Sequence, residues 1–223
     1  MKTKICGIQS VVDAQIVIQA SADYIGLNFV RSSKRRVNMD TARQIIQLTH
    51  SMPSDIKTVG VFQNQTSDYV NMVADNLDLD FVQLHGDETP EFCTRIERSI
   101  IKTFSLEPRF DVEKISRYMN KYKVAHFLVD RQVQGEGEPL PVDQLRELAK
   151  RTPFFLAGGL TPNNVTSIAR TVNPFGLDVA GGVEREGQID KKKVNEFVKN
   201  LLNLPSIPSL PRRGLKRGGE HYI

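Results

Sequence analysis

Residues 154–183 read FFLAGGLTPNNVTSIARTVNPFGLDVAGGV, and this stretch decides the fold class. Two short apolar runs, at 154–156 and 176–179, each lead through an alanine into a glycine pair. The segment between them has the apolar pattern of an amphipathic helix. A strand, a helix and a second strand in this order are typical of a parallel βαβ unit. The stretch therefore predicts an α/β protein in which glycine-rich turns follow the strands.

The same alternation extends outward from this stretch over most of the chain. Strands are expected at 4–6, 24–29, 58–62, 81–84, 100–104, 125–129, 154–156 and 176–179. Helices are expected at 13–19, 41–48, 67–76, 90–96, 111–118, 142–150, 161–170 and 191–202. Residues that favour a helix N-terminus open several of them: Ser67, Thr89, Asp111, Thr161 and Asp190. Such alternation leaves an open doubly wound sheet or a closed barrel.

The glycines decide between these two architectures. An open sheet would normally carry one glycine-rich dinucleotide fingerprint after its first strand, and Cys6-Gly7-Ile8-Gln9-Ser10 does not match it. Polar and glycine residues instead follow many strands, as expected where eight loops build one site. We therefore predict a single-domain (β/α)8 TIM barrel over residues 1–204.

Composition excludes several classes of protein. Of the 223 residues, 39% are hydrophobic and 25% are charged, which is ordinary for a globular domain. No apolar run reaches the roughly 18 residues of a membrane span, and the N-terminus does not resemble a secretory signal. Two cysteines and four scattered histidines suggest neither a disulfide framework nor a metal site. A cytoplasmic enzyme without a metal is expected.

The net charge of +4 belongs mainly to the C-terminal tail. Residues 205–223 contain four cations and one anion: Arg212, Arg213, Lys216, Arg217 and Glu220. This segment is rich in Pro, Gly and Arg and lacks an apolar period, so we expect a basic, disordered extension. Because the rest of the chain is nearly neutral, nucleic-acid binding is not indicated.

The two glycine pairs predict a phosphate site. Without a Cβ, glycine lets backbone N–H groups approach an anion closely, and barrels commonly bind phosphate after strands seven and eight. The candidates are Gly158, Gly159, Ala180, Gly181 and Gly182. Tight turns alone would explain one such pair, and two pairs at these positions favour phosphate.

Other polar residues at strand ends are candidates for chemistry, but their local sequence leaves alternatives open. Cys6 ends the first strand and is either a catalytic thiol or a small buried residue. Asp130 closes an apolar run, where acid chemistry or structural hydrogen bonding could use it. His85 either lines the site or is structural, and nothing local tells which arginine of 31–36 points inward.

Read together, these segments make the chain similar to the phosphoribosylanthranilate isomerase family along nearly all of residues 3–200. The matching pieces are Lys4-Ile5-Cys6-Gly7 with Asp13-Ala14, residues 26–29 with Ser33-Lys34-Arg35, Val59-Gly60-Val61-Phe62, Gln83-Leu84-His85-Gly86, Leu128-Val129-Asp130, Leu156-Ala157-Gly158-Gly159-Leu160-Thr161-Pro162 with Asn164-Val165, and residues 178–184. Each piece is short, and their order and spacing make the combination specific.

The resemblance implies a (β/α)8 barrel without a cofactor that binds a small-molecule sugar phosphate. Its reaction would be an Amadori rearrangement of tryptophan biosynthesis. By resemblance, Asp130 is the general acid and Cys6 the general base, with a thiol pKa lowered by cationic surroundings. Arg35 would hold the anthranilate carboxylate, and Asp178 and His85 would line the site.

The chain also departs from the family pattern. Residues 135–141 carry Glu136 and Glu138 where the family usually has small residues, and Ala180-Gly181 replaces two common serines. One alternative is a related sugar-phosphate isomerase, such as that of histidine biosynthesis, whose acid and base are both aspartates. A non-catalytic phosphate-binding barrel is another. The sequence leaves a monomer and a homodimer equally open.

Overall fold

A computed structural model describes residues 1–131 and 141–204. The main strands are β1 (Lys2–Cys6), β2 (Tyr24–Asn28), β3 (Lys57–Phe62), β4 (Phe81–Leu84), β5 (Ser99–Leu106), β6 (His126–Arg131), β7 (Phe154–Leu156) and β8 (Gly176–Val179). All neighbouring pairs are parallel, and β8 pairs with β1, which closes the barrel. The prediction of a (β/α)8 barrel is confirmed.

Helices connect the strands and surround the barrel. They are α1 (Val11–Gln19), α2 (Met39–Ser51), α3 (Ser67–Asn76), α4 (Pro90–Cys93), α5 (Val112–Met119), α6 (Val142–Arg151), α7 (Val165–Val172) and α8 (Lys191–Leu202). Strand positions agree closely with the sequence patterns, and the largest difference in length is β5, which extends to Leu106. Helix α4 ends at Cys93, three residues before the predicted end at position 96.

Two of the five predicted helix caps are wrong. Thr66, and not Ser67, is the N-cap of α3, because its side chain accepts the hydrogen bond from Tyr69 N. Thr161 does not open α7, since Asn164 uses its side chain to bind Thr161 N and the carbonyl of Gly159. These bonds stabilise a loop ahead of the helix. Thr89, Asp111 and Asp190 cap their helices as predicted.

A short hairpin follows β8 that the sequence patterns did not predict. After a 3-10 turn at Gly181–Val183, β9 (Glu184–Arg185) pairs antiparallel with β10 (Gln188–Ile189). The two residues between them, Glu186 and Gly187, have φ of 52° and 79°. Positive φ at both positions is the geometry of a type I′ hairpin turn. The hairpin places Glu184 at the mouth of the barrel.

Aromatic side chains close the amino-terminal end of the barrel. Tyr24, Phe81 and His126 each begin a strand and contact one another edge-on or tilted. The ring of His126 also stacks on that of Phe175, with their centroids 4.8 Å apart, and the ring of Phe155 packs at right angles against both. Because this end is filled, the opposite end, where the strands terminate, is left for a site.

Some expectations fall outside the described residues. These are the loop with Glu136 and Glu138, within 132–140, and the basic tail at 205–223, and both stay predictions. Within the described ranges, no helix has the length and apolar character needed to cross a membrane.

Candidate active site

A cavity of about 630 Å³ opens at the carboxyl ends of the barrel strands. It brings together residues that lie up to 176 positions apart in the sequence and that come from seven different strand ends or the loops after them. All ten site residues predicted from the sequence line it: Cys6, Arg35, His85, Asp130, Gly158, Gly159, Asp178, Ala180, Gly181 and Gly182.

Cys6 lies above a buried ion pair. Side chains two residues apart on a strand point to the same face, so Lys4 and Cys6 both face the barrel interior. The register pairs Lys4 with Asp178 on β8, and Lys4 Nζ lies 2.9 Å from Asp178 Oδ1. Lys4 is 0% exposed. A buried lysine requires a carboxylate partner, which this register supplies.

The surroundings of Cys6 have a mixed effect on its acidity. Burial raises the pKa of the Cys6 thiol, the Lys4 ammonium lowers it, and the Asp178 carboxylate raises it again. The net direction is upward, so the expectation of a lowered pKa is wrong for the chain without substrate. The reason is that burial of the thiol outweighs the effect of the Lys4 ammonium, whose charge is neutralised by Asp178.

Lys4 remains an ammonium in this environment. Although burial disfavours its charged form, the carboxylate of Asp178 and the neighbouring Cys6 hold the pKa of Lys4 above its usual value. A charged group beside the thiol is therefore a permanent feature of the site at neutral pH.

Gly26 on β2 makes room for the Cys6 side chain. A Cβ at Gly26 would lie 2.7 Å from Cys6 Sγ, closer than real contacts allow. Cys6 and Gly26 are paired in the register of β1 and β2. The thiol therefore lies against bare backbone, and even alanine at position 26 would displace it.

Asp130 is presented by β6 and is 7% exposed. His85 Nε2 lies 3.5 Å from Asp130 Oδ2, and the side-chain nitrogen of Gln83 lies 3.1 Å from His85 Nδ1. The same Gln83 nitrogen donates to Thr103 Oγ1 at 3.2 Å. This chain of contacts orients the imidazole toward Asp130. His85 thus lines the cavity, and its contact is with the predicted acid.

A buried ion pair supports the loop that carries His85. Lys102 and Glu88 are each nearly inaccessible, with Nζ and Oε2 2.8 Å apart. Lys102 also donates to the carbonyls of Leu84 and Gly86, and Glu88 accepts from the N–H groups of Gly86 and Asn64. A buried pair with these additional bonds is stable and fixes the chain on both sides of His85.

Arg35 is the arginine of 31–36 that points inward. Arg31 and Arg36 are exposed, whereas Arg35 is partly buried and lines the cavity. Its Nε and Nη2 both donate to the carboxylate of Glu184, and the Nη2–Oε2 distance is 2.8 Å. The guanidinium is therefore held by two parallel charge-assisted bonds across the mouth of the barrel.

The glycine pairs lie in two loops that touch each other. Gly158 and Gly159 have φ of 90° and 70°, a region that side chains disfavour. A Cβ at Gly182 would lie 1.8 Å from the carbonyl oxygen of Leu160, in the loop after β7. The two loops after β7 and β8 therefore form one continuous stretch of exposed backbone along the cavity.

Sequence reasoning missed Lys4, Glu184 and Gln83. Lys4 had a usable signal, since a lysine in the middle of a buried strand and two residues before Cys6 must have a buried partner. Glu184 belongs to the matching segment 178–184, but nothing in the local sequence connects it with Arg35, which is 149 residues away. Within residues 1–131 and 141–204, no group of three or more histidine, cysteine or acidic side chains could hold a metal ion.

Comparisons with known proteins agree with the fold. A family model described as N-(5'phosphoribosyl)anthranilate (PRA) isomerase matches residues 3–200. The N-(5'-phosphoribosyl)anthranilate isomerase of Geotalea uraniireducens (strain Rf4) is 42% identical over 208 residues, which cover 91% of this chain and 99% of that protein.

Solved structures are similar over the same length. The phosphoribosyl anthranilate isomerase of Thermotoga maritima has a TM-score of 0.82 and 32% identity, and the match covers 92% of this chain and 100% of that one. A phosphoribosyl anthranilate isomerase in complex with reduced 1-(o-carboxyphenylamino)-1-deoxyribulose 5-phosphate has a TM-score of 0.79 and 31% identity, again covering 92% and 100%.

Proposed function

The chain belongs to the N-(5'-phosphoribosyl)anthranilate isomerase family, and we propose that it carries out the family's reaction with Asp130 as general acid and Cys6 as general base. The reaction converts N-(5'-phosphoribosyl)anthranilate into 1-(2-carboxyphenylamino)-1-deoxyribulose 5-phosphate in tryptophan biosynthesis. One observation carries the assignment of roles. Cys6 and Asp130 line the same cavity from β1 and β6, which lie three strands apart around the barrel, so a sugar fits between them.

The first step is opening of the ribose ring. Asp130 donates a proton to the ring oxygen, the bond from that oxygen to C1' breaks, and the amine nitrogen forms a Schiff base with C1'. His85 contacts Asp130 and keeps the carboxyl oriented. The partial burial of Asp130 excludes most competing water from the proton transfer.

The second step is removal of the C2' proton. The Cys6 thiolate takes this proton, the electrons move into a C1'–C2' double bond, and the Schiff base becomes an enolamine. The enolamine then tautomerises to the ketone. Because the thiolate is the active form, the Lys4 ammonium assists by favouring it, and Asp178 limits this effect.

The two anionic ends of the substrate have separate places in the cavity. We assign the anthranilate carboxylate to Arg35, whose planar guanidinium matches a carboxylate. We assign the phosphate to the backbone of Gly158, Gly159, Ala180, Gly181 and Gly182, which is open to the cavity. Both groups hold the sugar so that C2' faces Cys6.

We also propose that the protein works in the cytoplasm on this small-molecule substrate, as a monomer or a homodimer. Support comes from the biosynthetic family and from the cavity, because one chain supplies all ten of the predicted site residues.

The activity itself is tested by adding freshly prepared phosphoribosylanthranilate to the purified protein and following the loss of its fluorescence. We expect saturable turnover, for the full chain and equally for a chain that ends at Leu204. Tight binding of the reduced product analogue without any turnover would contradict the proposal and favour a non-catalytic phosphate-binding barrel.

Arginine substitutions test the carboxylate assignment. Arg35→Ala should raise KM about 10- to 100-fold, because a charge-assisted hydrogen bond is worth about 1.5–3 kcal/mol. Arg31→Ala and Arg36→Ala are the matched controls, since both side chains are exposed, and their KM should change little. Equal effects of all three, measured in the fluorescence assay, would mean that the segment acts only through diffuse positive charge.

A further inference from the structure

We propose that Glu184 is a positioning residue for substrate recognition, which holds Arg35 by one edge so that the other edge faces the substrate's carboxylate. The inference rests on the proposed function and adds the group that selects for a carboxylated aromatic ring. Nothing in the local sequence connects the two residues, which lie in the loop after β2 and at the start of β9.

The contact between Arg35 and Glu184 fixes the plane of the guanidinium. A carboxylate that accepts from both Nε and Nη2 forms a planar fork, which a single bond would not define. The side chain of Glu184 is 8% exposed and that of Arg35 is 21% exposed. The anion is therefore the more deeply placed partner, and the arginine is the one that reaches the cavity.

The adjoining edge of the Arg35 guanidinium is open to a second carboxylate. Nη1 and the remaining N–H of Nη2 form a second fork of the same shape. Among residues 1–131 and 141–204, none accepts a hydrogen bond from Nη1. Because the first edge is taken by Glu184, a bound carboxylate must use this second edge.

Two glycines confine the arginine side chain. A Cβ at Gly7 would lie 2.4 Å from Arg35 Cδ, and a Cβ at Gly181 would lie 3.1 Å from Arg35 Nη2. The stem therefore crosses the backbone after β1, and the guanidinium lies over the loop after β8. This position puts the carboxylate site directly beside the proposed phosphate site.

Glu184 is itself held firmly. It pairs with Ile189 in the short hairpin, and Lys193 Nζ donates to its carbonyl oxygen at 2.6 Å. A residue whose backbone is held by a hairpin and by a helix can act as a fixed reference for Arg35. The arginine alone, on a loop with exposed neighbours, has no other side-chain partner among the described residues.

The charge of Glu184 also has an opposing effect. It lies near the substrate's carboxylate and repels it, so its removal could strengthen binding. Orientation should nevertheless dominate, because a bidentate contact is lost when the guanidinium rotates and small misplacements are costly. For Glu184→Gln, lost orientation predicts weaker binding of the carboxylated ligand, whereas lost repulsion predicts tighter binding. A measurement of affinity therefore tests the proposal.

The experiment compares two ligands by calorimetry on the full chain. One is the reduced product analogue, and the other is the same compound without the carboxylate on its ring. We expect Glu184→Gln to reduce the preference for the carboxylated ligand at least about 10-fold while leaving affinity for the other ligand unchanged. Arg35→Ala should abolish the preference. Glu186→Gln, an exposed glutamate two residues away, is the control and should behave as the unaltered chain.

The following results of this experiment would overturn the positioning role, the proposed function or both. Unchanged or tighter binding of the carboxylated ligand by Glu184→Gln overturns the proposal. Equal weakening of both ligands also overturns it, because it means that the substitution disturbs the cavity generally. If the unaltered chain shows neither turnover nor any preference for the carboxylate, the proposed function fails as well. If Arg35→Ala removes the preference for the carboxylated ligand and Glu184→Gln retains it, the positioning role of Glu184 is wrong and the proposed function stands.

Discussion

Cys6→Ser and Asp130→Asn should each lower kcat at least about a hundredfold, since positioned acids and bases contribute about 10²–10⁴. That loss corresponds to about 2.7 kcal/mol of transition-state stabilisation. Serine is a far weaker base than a thiolate, and asparagine has no acidic proton to donate. Both replacements preserve size, so the affinity for the reduced product analogue should stay nearly unchanged. Single-turnover fluorescence and calorimetry measure the two quantities.

Matched controls separate chemistry from folding. Cys93→Ser replaces the other thiol, which is buried in α4, and Asp40→Asn replaces a carboxylate on the outer surface, 92% exposed. Neither should change kcat beyond about twofold. If either site variant keeps more than about a tenth of the original kcat, a loss below about 1.4 kcal/mol, the corresponding role is wrongly assigned.

Lys4→Met is expected to destabilise the protein by about 3–5 kcal/mol, because it leaves the buried Asp178 without its cation. Asp178→Asn should be destabilising for the reciprocal reason. In the double variant no charge is left unpaired, and it should regain much of the lost stability. Urea unfolding of the four proteins gives these values, and strictly additive losses would show that the two side chains do not interact.

The same substitutions should move the pH dependence of kcat/KM in opposite directions. Burial already raises the pKa of Cys6, so kcat/KM should keep rising with pH above neutrality, as the thiolate forms. Loss of the Lys4 ammonium removes a charge that lowers the pKa of Cys6, so the rise in kcat/KM should move to higher pH. Asp178→Asn removes an anion that raises the pKa of Cys6, so the rise in kcat/KM should move to lower pH.

If the pH profile of kcat/KM is unshifted in both variants, the rise with pH reflects the ionisation of a group other than Cys6. The profile is measured at temperatures where each variant is folded, with far-UV circular dichroism as the check. Cys6→Ser serves as the reference, because its residual activity should not show this rise at all.

The fold could be predicted from the sequence because its signals are local. Runs such as Phe81–Leu84 and Gly176–Val179 are confirmed to the residue, since a short buried strand between turn residues is recognisable by itself. The glycine pairs after the last two strands are an equally local signal, because they indicate where backbone N–H groups can approach an anion closely. Helix starts were less certain, as Thr161 shows, because a neighbouring asparagine could satisfy the same N–H group in a loop.

Local sequence patterns are enough to predict the barrel, its order of elements and the set of residues at the strand ends. Which charges meet at those strand ends depends on how the chain folds in three dimensions. Lys4 contacts Asp178, 174 residues away, because β8 pairs with β1 and closes the barrel. Arg35 contacts Glu184, 149 residues away, on a hairpin that the sequence patterns did not predict. The acidity of Cys6 was decided in the same way, because the depth of burial and the neutralisation of the nearest cation set its direction. Periodicity reports contacts within a few residues, whereas electrostatics depends on distances that exist only after the chain has closed on itself.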